Sequence, residues 1–170
     1  DLAEILARPV RIANDANCFA LSEASDGAAA GTTIVFGAIL GSGVGGGLVI
    51  QGIVIEGTNS ICGEWGHNPL PWANQTINRA EIPGPQCYCG ISGCTETFLS
   101  GAGLQHSYEE CHREKLPSLP SARAIAGRAA SGETAAIAAI DLYCCRLARG
   151  LASIINIIDP DVIVLGGGLS

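Results

Sequence analysis

An α/β fold is predicted, on three observations. Residues 32–40 form a β-rich run that leads through the glycine-rich segment 41–47 into Leu48-Val49-Ile50, so strand, turn and strand make a hairpin. Residues 133–158 carry Ile137, Ile140, Cys144, Leu147, Leu151, Ile154 and Ile158 at alternating threes and fours, the spacing of one face of a long helix. Pro160 stops that helix, and Asp161-Val162-Ile163-Val164-Leu165 then reads as a buried strand of the parallel type.

The other elements follow in chain order. Leu2 to Leu6 reads as the tail of a helix ending before Pro9, and Val10 to Ala13 as a short strand. Residues 16–30 are rich in alanine, with Phe19, Leu21 and Ala24 at helical spacing, so a helix is expected there. Asp15 then stands at a strand–helix junction, where it fits two roles. A carboxylate at a helix start caps free backbone N–H groups. Yet Asn14, Asp15 and Asn17 together supply more polar chemistry than one cap uses, at a place where α/β sheets bind ligands.

The segment Gly41-Ser42-Gly43-Val44-Gly45-Gly46-Gly47 also reads two ways. Successive N–H groups in such a loop can form a concavity for phosphate. A plain glycine hairpin fits equally, because the Lys of a P-loop is missing and a strand, not a helix, follows. Gln51-Gly52 is a second turn, and Ile53-Val54-Ile55 pairs back. Residues 97–111 read as a helix made imperfect by Gly101 and Gly103, residues 116–120 as a proline-bounded connection, and residues 121–130 as a short helix stopped at Ser131-Gly132. On the long helix Cys144 is expected in the core and Cys145 more exposed. Gly166-Gly167-Gly168 is a second place where backbone can meet a ligand.

Composition narrows the function classes. Nine basic residues against sixteen acidic ones give a net charge of −7, with no basic run, which argues against a nucleic-acid surface. The longest apolar runs fall far short of the roughly 20 residues that span a bilayer. With 48% hydrophobic residues the chain has ample material for a core. Eight cysteines could form disulfides in a secreted protein, but their grouping as a cluster and along a helix points to a reducing cytoplasm.

The cysteine grouping is the most specific feature. Gly63-Glu64-Trp65-Gly66-His67 and the later Cys87-x-Cys89-x₄-Cys94 hold one histidine and three thiols, a Cys₃His set suited to structural Zn²⁺. Gly90 and Gly93 lie where a tight knuckle needs residues without Cβ. Glu64 precedes His67 by three positions and Glu96 follows Cys94 by two, so a metal would fix both carboxylates relative to each other. Reduced core cysteines are the plainer alternative. An acidic residue at a strand end, two glycine turns and two more carboxylates suit transfer from a phosphate donor to a polyol. Asp15 is then the natural base, and Glu64, His67 and Glu96 the natural hydroxyl binders.

Five motifs in order (Asn14-Asp15-Ala16-Asn17, the 41–47 loop, Gly-Glu-Trp-Gly-His at 63–67, the cysteine run at 87–96 and Asp-Pro-Asp-Val-Ile-Val-Leu-Gly-Gly-Gly at 159–168) resemble the ROK family of sugar kinases, repressors and related open reading frames. Within it, residues 63–72 are most similar to the bacterial fructokinase (mannokinase) branch. The resemblance implies an actin-like, hexokinase-type (ribonuclease H-like) fold of two lobes, with residues 1–30 ending the N-terminal lobe and residues 31–170 forming the C-terminal lobe with a zinc loop at 63–96. It implies Asp15 as catalytic base, sugar contacts from Asn14, Glu64, His67 and Glu96, and zinc on His67, Cys87, Cys89 and Cys94. Ser42, Gly43 and Gly45 would face the phosphates, and Gly166, Gly167 and Gly168 the nucleotide. Ser42 stands where the family commonly has Thr.

The implied activity is ATP- and Mg²⁺-dependent phosphorylation of a hexose 6-hydroxyl, with fructose the leading substrate. An N-acetylhexosamine (N-acetylglucosamine or N-acetylmannosamine) kinase and a sugar-responsive repressor are the alternatives. A cytoplasmic homodimer that binds sugar and ATP, and neither nucleic acid nor membrane, is the accompanying expectation. The family's Asp-x-Gly-x-Thr phosphate motif, which organises the Mg²⁺–ATP site, is not in this sequence, so the chain is expected to be a piece of a longer protein and inactive alone.

Overall fold

A computed structural model describes residues 1–73, 81–112 and 116–170; residues 74–80 of the cysteine loop and 113–115 fall outside the described residues. The centre is a four-stranded sheet, order β3-β2-β1-β4, built from β1 (Ile34–Leu40), β2 (Val44–Ile50), β3 (Ile53–Val54) and β4 (Val162–Gly166). Strands β1 to β3 are antiparallel, whereas β4 runs parallel to β1, as its position after a long helix requires. Gln51 and Gly52 both take positive φ (53° and 75°), the two-residue turn that matches the twist of a hairpin.

Helix α1 (Leu2–Leu6) comes first and buries none of its residues. Side chains alternate across β1. Val35 joins Ala20, Ala29 and Val49 beneath helix α2 (Asp15–Ser25), whereas Phe36, Ala38 and Leu40 face the helices on the other side. That second layer holds α3 (Thr95–Leu99), α4 (Gly101–Cys111), α5 (Ala122–Ala130) and α6 (Thr134–Ile158). Helix α2 packs directly on this sheet.

Four expectations change. Residues 10–13 form no strand: they are exposed, Ile12 at 92%, and among the described residues nothing pairs with them. Helix α2 stops at Ser25, and the Glu23 carboxylate accepts from Ala28 N–H in the turn that follows. The helix expected over 97–111 is two helices, broken at Ser100, whose hydroxyl accepts from Gly103 N–H and starts α4. Gly45, Gly46 and Gly47 belong to strand β2, not to a loop. A Cβ on Gly47 would lie 2.6 Å from the Ala16 carbonyl oxygen and 2.8 Å from Ala20 Cβ, and one on Gly37 would lie 2.8 Å from Ala20 Cβ. The glycines therefore form a flat floor on which α2 rests backbone to backbone. Gly47→Ala is expected to destabilise the full-length protein by about 1–3 kcal/mol, read from denaturant unfolding.

On α6 the buried stripe is rotated from the predicted one. Ala136, Ala139, Tyr143, Arg146, Gly150 and Ile154 press on the core, while Ile140, Leu147, Leu151 and Ile158 flank it half-buried and Cys144 is exposed. Small residues decide this, because Gly150 lets the Trp65 ring approach to within 2.9 Å of where a Cβ would be. A count of apolar residues also misses Arg146. Its Nε donates to Glu81 Oε1 at 2.8 Å, its NH1 to Ser107 Oγ at 2.7 Å, and its guanidinium lies 4.7 Å from the Phe98 ring centre. Arg149 adds two bonds to the same carboxylate, at 2.7 and 2.9 Å. Glu81 thereby clamps the far side of the cysteine loop to α6. Glu81→Ala leaves buried guanidinium charge without its carboxylate, and a loss of about 3–5 kcal/mol is expected by the same unfolding measurement.

Candidate functional site

The two glycines of Gly-Glu-Trp-Gly-His are required by close approach to β2. A Cβ on Gly63 (φ 93°) would stand 2.1 Å from the Gly46 carbonyl oxygen, and one on Gly66 2.1 Å from that of Val44. Trp65 anchors the segment, its Nε1 donating to Gly45 O at 2.8 Å and its ring meeting Phe36 edge-on. The 3-10 turn Trp65–His67 then presents Glu64 and His67 to a polar cavity of about 300 Å³. That cavity brings together Asn14, Asp15, Ser42, Gly43, Gly45, Glu64, His67 and Glu96.

The junction at Asp15 resolves its two roles. Asn14 is the helix cap, its Oδ1 accepting from Asn17 N–H at 3.1 Å, and Asp15 is the first helical residue. Among the described residues the Asp15 carboxylate accepts only from its neighbour, Ala16 N–H, at 2.9 Å through Oδ1, and Oδ2 is left for the cavity. Across the cavity, Glu96 in the first turn of α3 accepts from Val44 N–H at 2.9 Å through Oε2. Gly43 is needed here, since a Cβ would lie 2.7 Å from that same oxygen. Carboxylates at Asp15, Glu64 and Glu96 with an imidazole between them suit a neutral polyhydroxyl ligand.

The four predicted metal ligands converge: the donor atoms of His67, Cys87, Cys89 and Cys94 all lie within 4.8 Å of one another. Cys89 Sγ and Cys94 Sγ are 3.6 Å apart, and Cys87 Sγ is 3.7 Å from His67 Nδ1. A tetrahedron with metal–sulfur bonds of about 2.3 Å has sulfur–sulfur edges of about 3.8 Å, so the set fits a zinc ion. The chemistry agrees, since burial first, then the neighbouring thiols of Cys89 and Cys87, pushes Cys94 up to about 12, and a cation would relieve that crowding. Ile91 N–H and the surrounding donors pull Cys89 the other way, below the ordinary thiol range. None of the eight cysteines forms a disulfide.

With Nδ1 turned to the thiols, His67 Nε2 meets Tyr88 OH at 2.9 Å, and the two rings pack edge to face. Sequence reasoning passed over Tyr88, although its place between two ligand cysteines was a usable signal. The Glu96 carboxylate, then burial and the negative groups of Cys87 and Glu64, holds the phenol above its usual range, so its O–H stays a donor.

The glycine triplet after β4 divides. Gly166 is buried against Phe19, with 2.5 Å from a would-be Cβ to the ring. Gly167 (φ 97°) hugs the Leu40 carbonyl, and Gly168 lines a separate cavity of about 580 Å³ with Leu104, Arg123, Tyr143, Leu147 and Leu169. Leu169 N–H donates to Leu40 O and Gly101 N–H to Gly41 O, so the ends of β1 and β4 meet beside the 41–43 turn. Among the described residues, no helix is long and apolar enough to cross a membrane.

The ROK family model matches residues 1–170. The N-acetyl-D-glucosamine kinase of Pectobacterium atrosepticum is 44% identical over 170 residues, all of this chain and 55% of that protein. A crystal structure of the ROK hexokinase from Thermus thermophilus superposes with a TM-score of 0.80 at 32% identity, over 99% of this chain and 53% of that one. A ROK family glucokinase from Streptomyces griseus, crystallised with glucose and AMPPNP, gives 0.78 at 25% identity, over 99% and 55%. The chain thus spans about half the length of the relatives it matches.

Proposed function

The chain belongs to the ROK family, and from that membership we propose that the protein is an ATP-dependent sugar kinase acting on the 6-hydroxyl of N-acetyl-D-glucosamine. The carrying observation is the convergence of Asn14, Asp15, Glu64, His67 and Glu96 on one cavity. The 44% identity to an N-acetyl-D-glucosamine kinase favours this sugar over the fructose that residues 63–72 suggested.

In this reading Asp15 Oδ2 takes the proton from the attacking hydroxyl, which must come within hydrogen-bond reach. The Asn14 side-chain amide is free to donate, because capping uses only its oxygen. Glu64 and Glu96 accept from ring hydroxyls, and the His67 imidazole faces the same ring. The turn at Ser42 and Gly43, with Gly45 behind it, offers backbone to the transferred phosphoryl group. The apolar cavity beside Gly168 takes the nucleoside, consistent with the AMPPNP complex of the Streptomyces griseus relative. Mg²⁺ supplies charge neutralisation on the phosphates. Zn²⁺ is assigned to His67, Cys87, Cys89 and Cys94, where it fixes the imidazole and the loop that carries it. A cytoplasmic homodimer completes the reading: cysteines that form no disulfide suit a reducing compartment, and light scattering on the full-length protein checks the dimer.

ADP release by the full-length protein with Mg²⁺–ATP, offered N-acetylglucosamine, N-acetylmannosamine, glucose, mannose and fructose in turn, tests the proposal. N-acetylglucosamine should give the highest kcat/KM. Binding of sugar without turnover of any would defeat the kinase and favour a sugar-responsive regulator.

A further inference from the structure

A second cavity, of about 220 Å³ and of mixed apolar and polar lining, adjoins the one that holds Asp15. Ser42, Tyr88 and Glu96 line both, and Asp15 lines only the first. The two cavities therefore share a wall, and Asp15 stands outside the second. Its remaining lining mixes small apolar surface, Pro85 and Ala102, with the side chains of Gln86, Thr97 and His106. It contains no Lys or Arg, and Glu96 borders it, so an anion is disfavoured. A neutral group with a donor, an acceptor and a small alkyl end suits it.

Sugar geometry says which substituent arrives there. In a pyranose C2 lies across the ring from C5, which bears C6. A hexose with its 6-hydroxyl at Asp15 therefore turns C2 toward the far wall of the cavity. We infer that the second cavity is the subsite for a 2-acylamino group, with Tyr88 and Glu96 forming the threshold and Ala102 facing the acyl chain. This rests on the kinase reading above. The donors and acceptors are in place. Gln86 is oriented by Ser92, whose hydroxyl donates to Gln86 Oε1 at 3.0 Å, while its Nε2 makes only a long 3.4 Å bond to Cys87 O and can turn to an amide carbonyl. Among the described residues the His106 imidazole makes no hydrogen bond, so it is open to a ligand. Glu96 commits Oε2 to Val44 N–H, and Oε1 is open to an amide N–H.

The test compares N-acetylglucosamine with glucose, by calorimetric affinity and by kcat/KM, in the full-length protein and in Ala102→Leu and Gln86→Leu. Ala102 is exposed in the first turn of α4, so a larger side chain fills the cavity without entering the core. Ala102→Leu is expected to lower the preference for N-acetylglucosamine over glucose by at least about tenfold, a steric exclusion of ordinary size. Gln86→Leu should lower it in the same direction, and N-propanoylglucosamine should still bind the unaltered protein. An unchanged preference in both variants, with circular dichroism showing them folded, would overturn the subsite whether or not any sugar is phosphorylated. Absence of turnover with sugar binding intact would overturn the kinase reading alone, since the affinities still decide the subsite. Binding of neither sugar would overturn both.

Discussion

Asp15→Asn in the full-length protein is expected to lower kcat for sugar phosphorylation by about 10²- to 10⁴-fold, the usual contribution of a positioned general base. KM for the sugar should change far less. The substitution keeps the shape of the side chain and its Oδ1, which can go on accepting from Ala16 N–H. The helix start is untouched, because Asn14 supplies the cap. A folded Asp15→Asn protein that turns over at the unaltered rate would sink the assignment. Asn14→Ala makes the complementary case: it removes the cap, at about 1 kcal/mol, together with one amide donor, and should raise KM while the protein loses stability.

The second large effect concerns the cysteine cluster. Cys94 is fully buried, and its sulfur also approaches the His67 carbonyl at 3.4 Å. Cys94→Ser is expected to reduce bound zinc from about one per chain to near none and to abolish sugar binding, because apparent binding energies of structural zinc are on the order of 10 kcal/mol. Metal analysis and thermal melts of the full-length protein read both. The pH dependence has a defined sign. Ligand thiols must lose protons to hold the ion, and without a cation Cys94 is held at about 12. Zinc binding therefore releases protons, and affinity falls as pH falls. A zinc-free protein that keeps its sugar affinity would contradict a structural role for the ion.

How far the sequence was readable depended on what each residue's partner was. The Cys₃His set was legible because ligand spacing is local chemistry, and all four donors converge as expected. The hairpin, the long helix and its parallel strand were legible as elements because length and apolar content are local, although β4 is half-buried and the α6 stripe is rotated from its apolar count. Failures came where a contact across the fold decides. Gly45 to Gly47 read as loop because the reasons for the missing side chains lie far off in the chain: helix α2 for Gly47, and Phe36, Trp65 and the Gly63 carbonyl for Gly46. Cys144 read as core because nothing in the pattern shows that Arg146, paired with Glu81, owns the buried face. Asp15 read as cap or ligand because both roles use the same residue type, and only the backbone shows that Asn14 took the first.

The glycine floor under α2 has a consequence for how this protein can vary. Most core contacts can be retuned by trading one side chain for another of similar size. Here, at Gly47, the helix that begins at Asp15 meets main chain through the Ala16 carbonyl and the Ala20 methyl, with no larger side chain between. The depth of α2 on the sheet is thus written in peptide geometry, which substitutions elsewhere in the core leave alone. Sequence drift in the apolar layers can proceed while the carboxylate of Asp15 keeps its height above the cavity. The proposed base stands on the least editable ground in the domain.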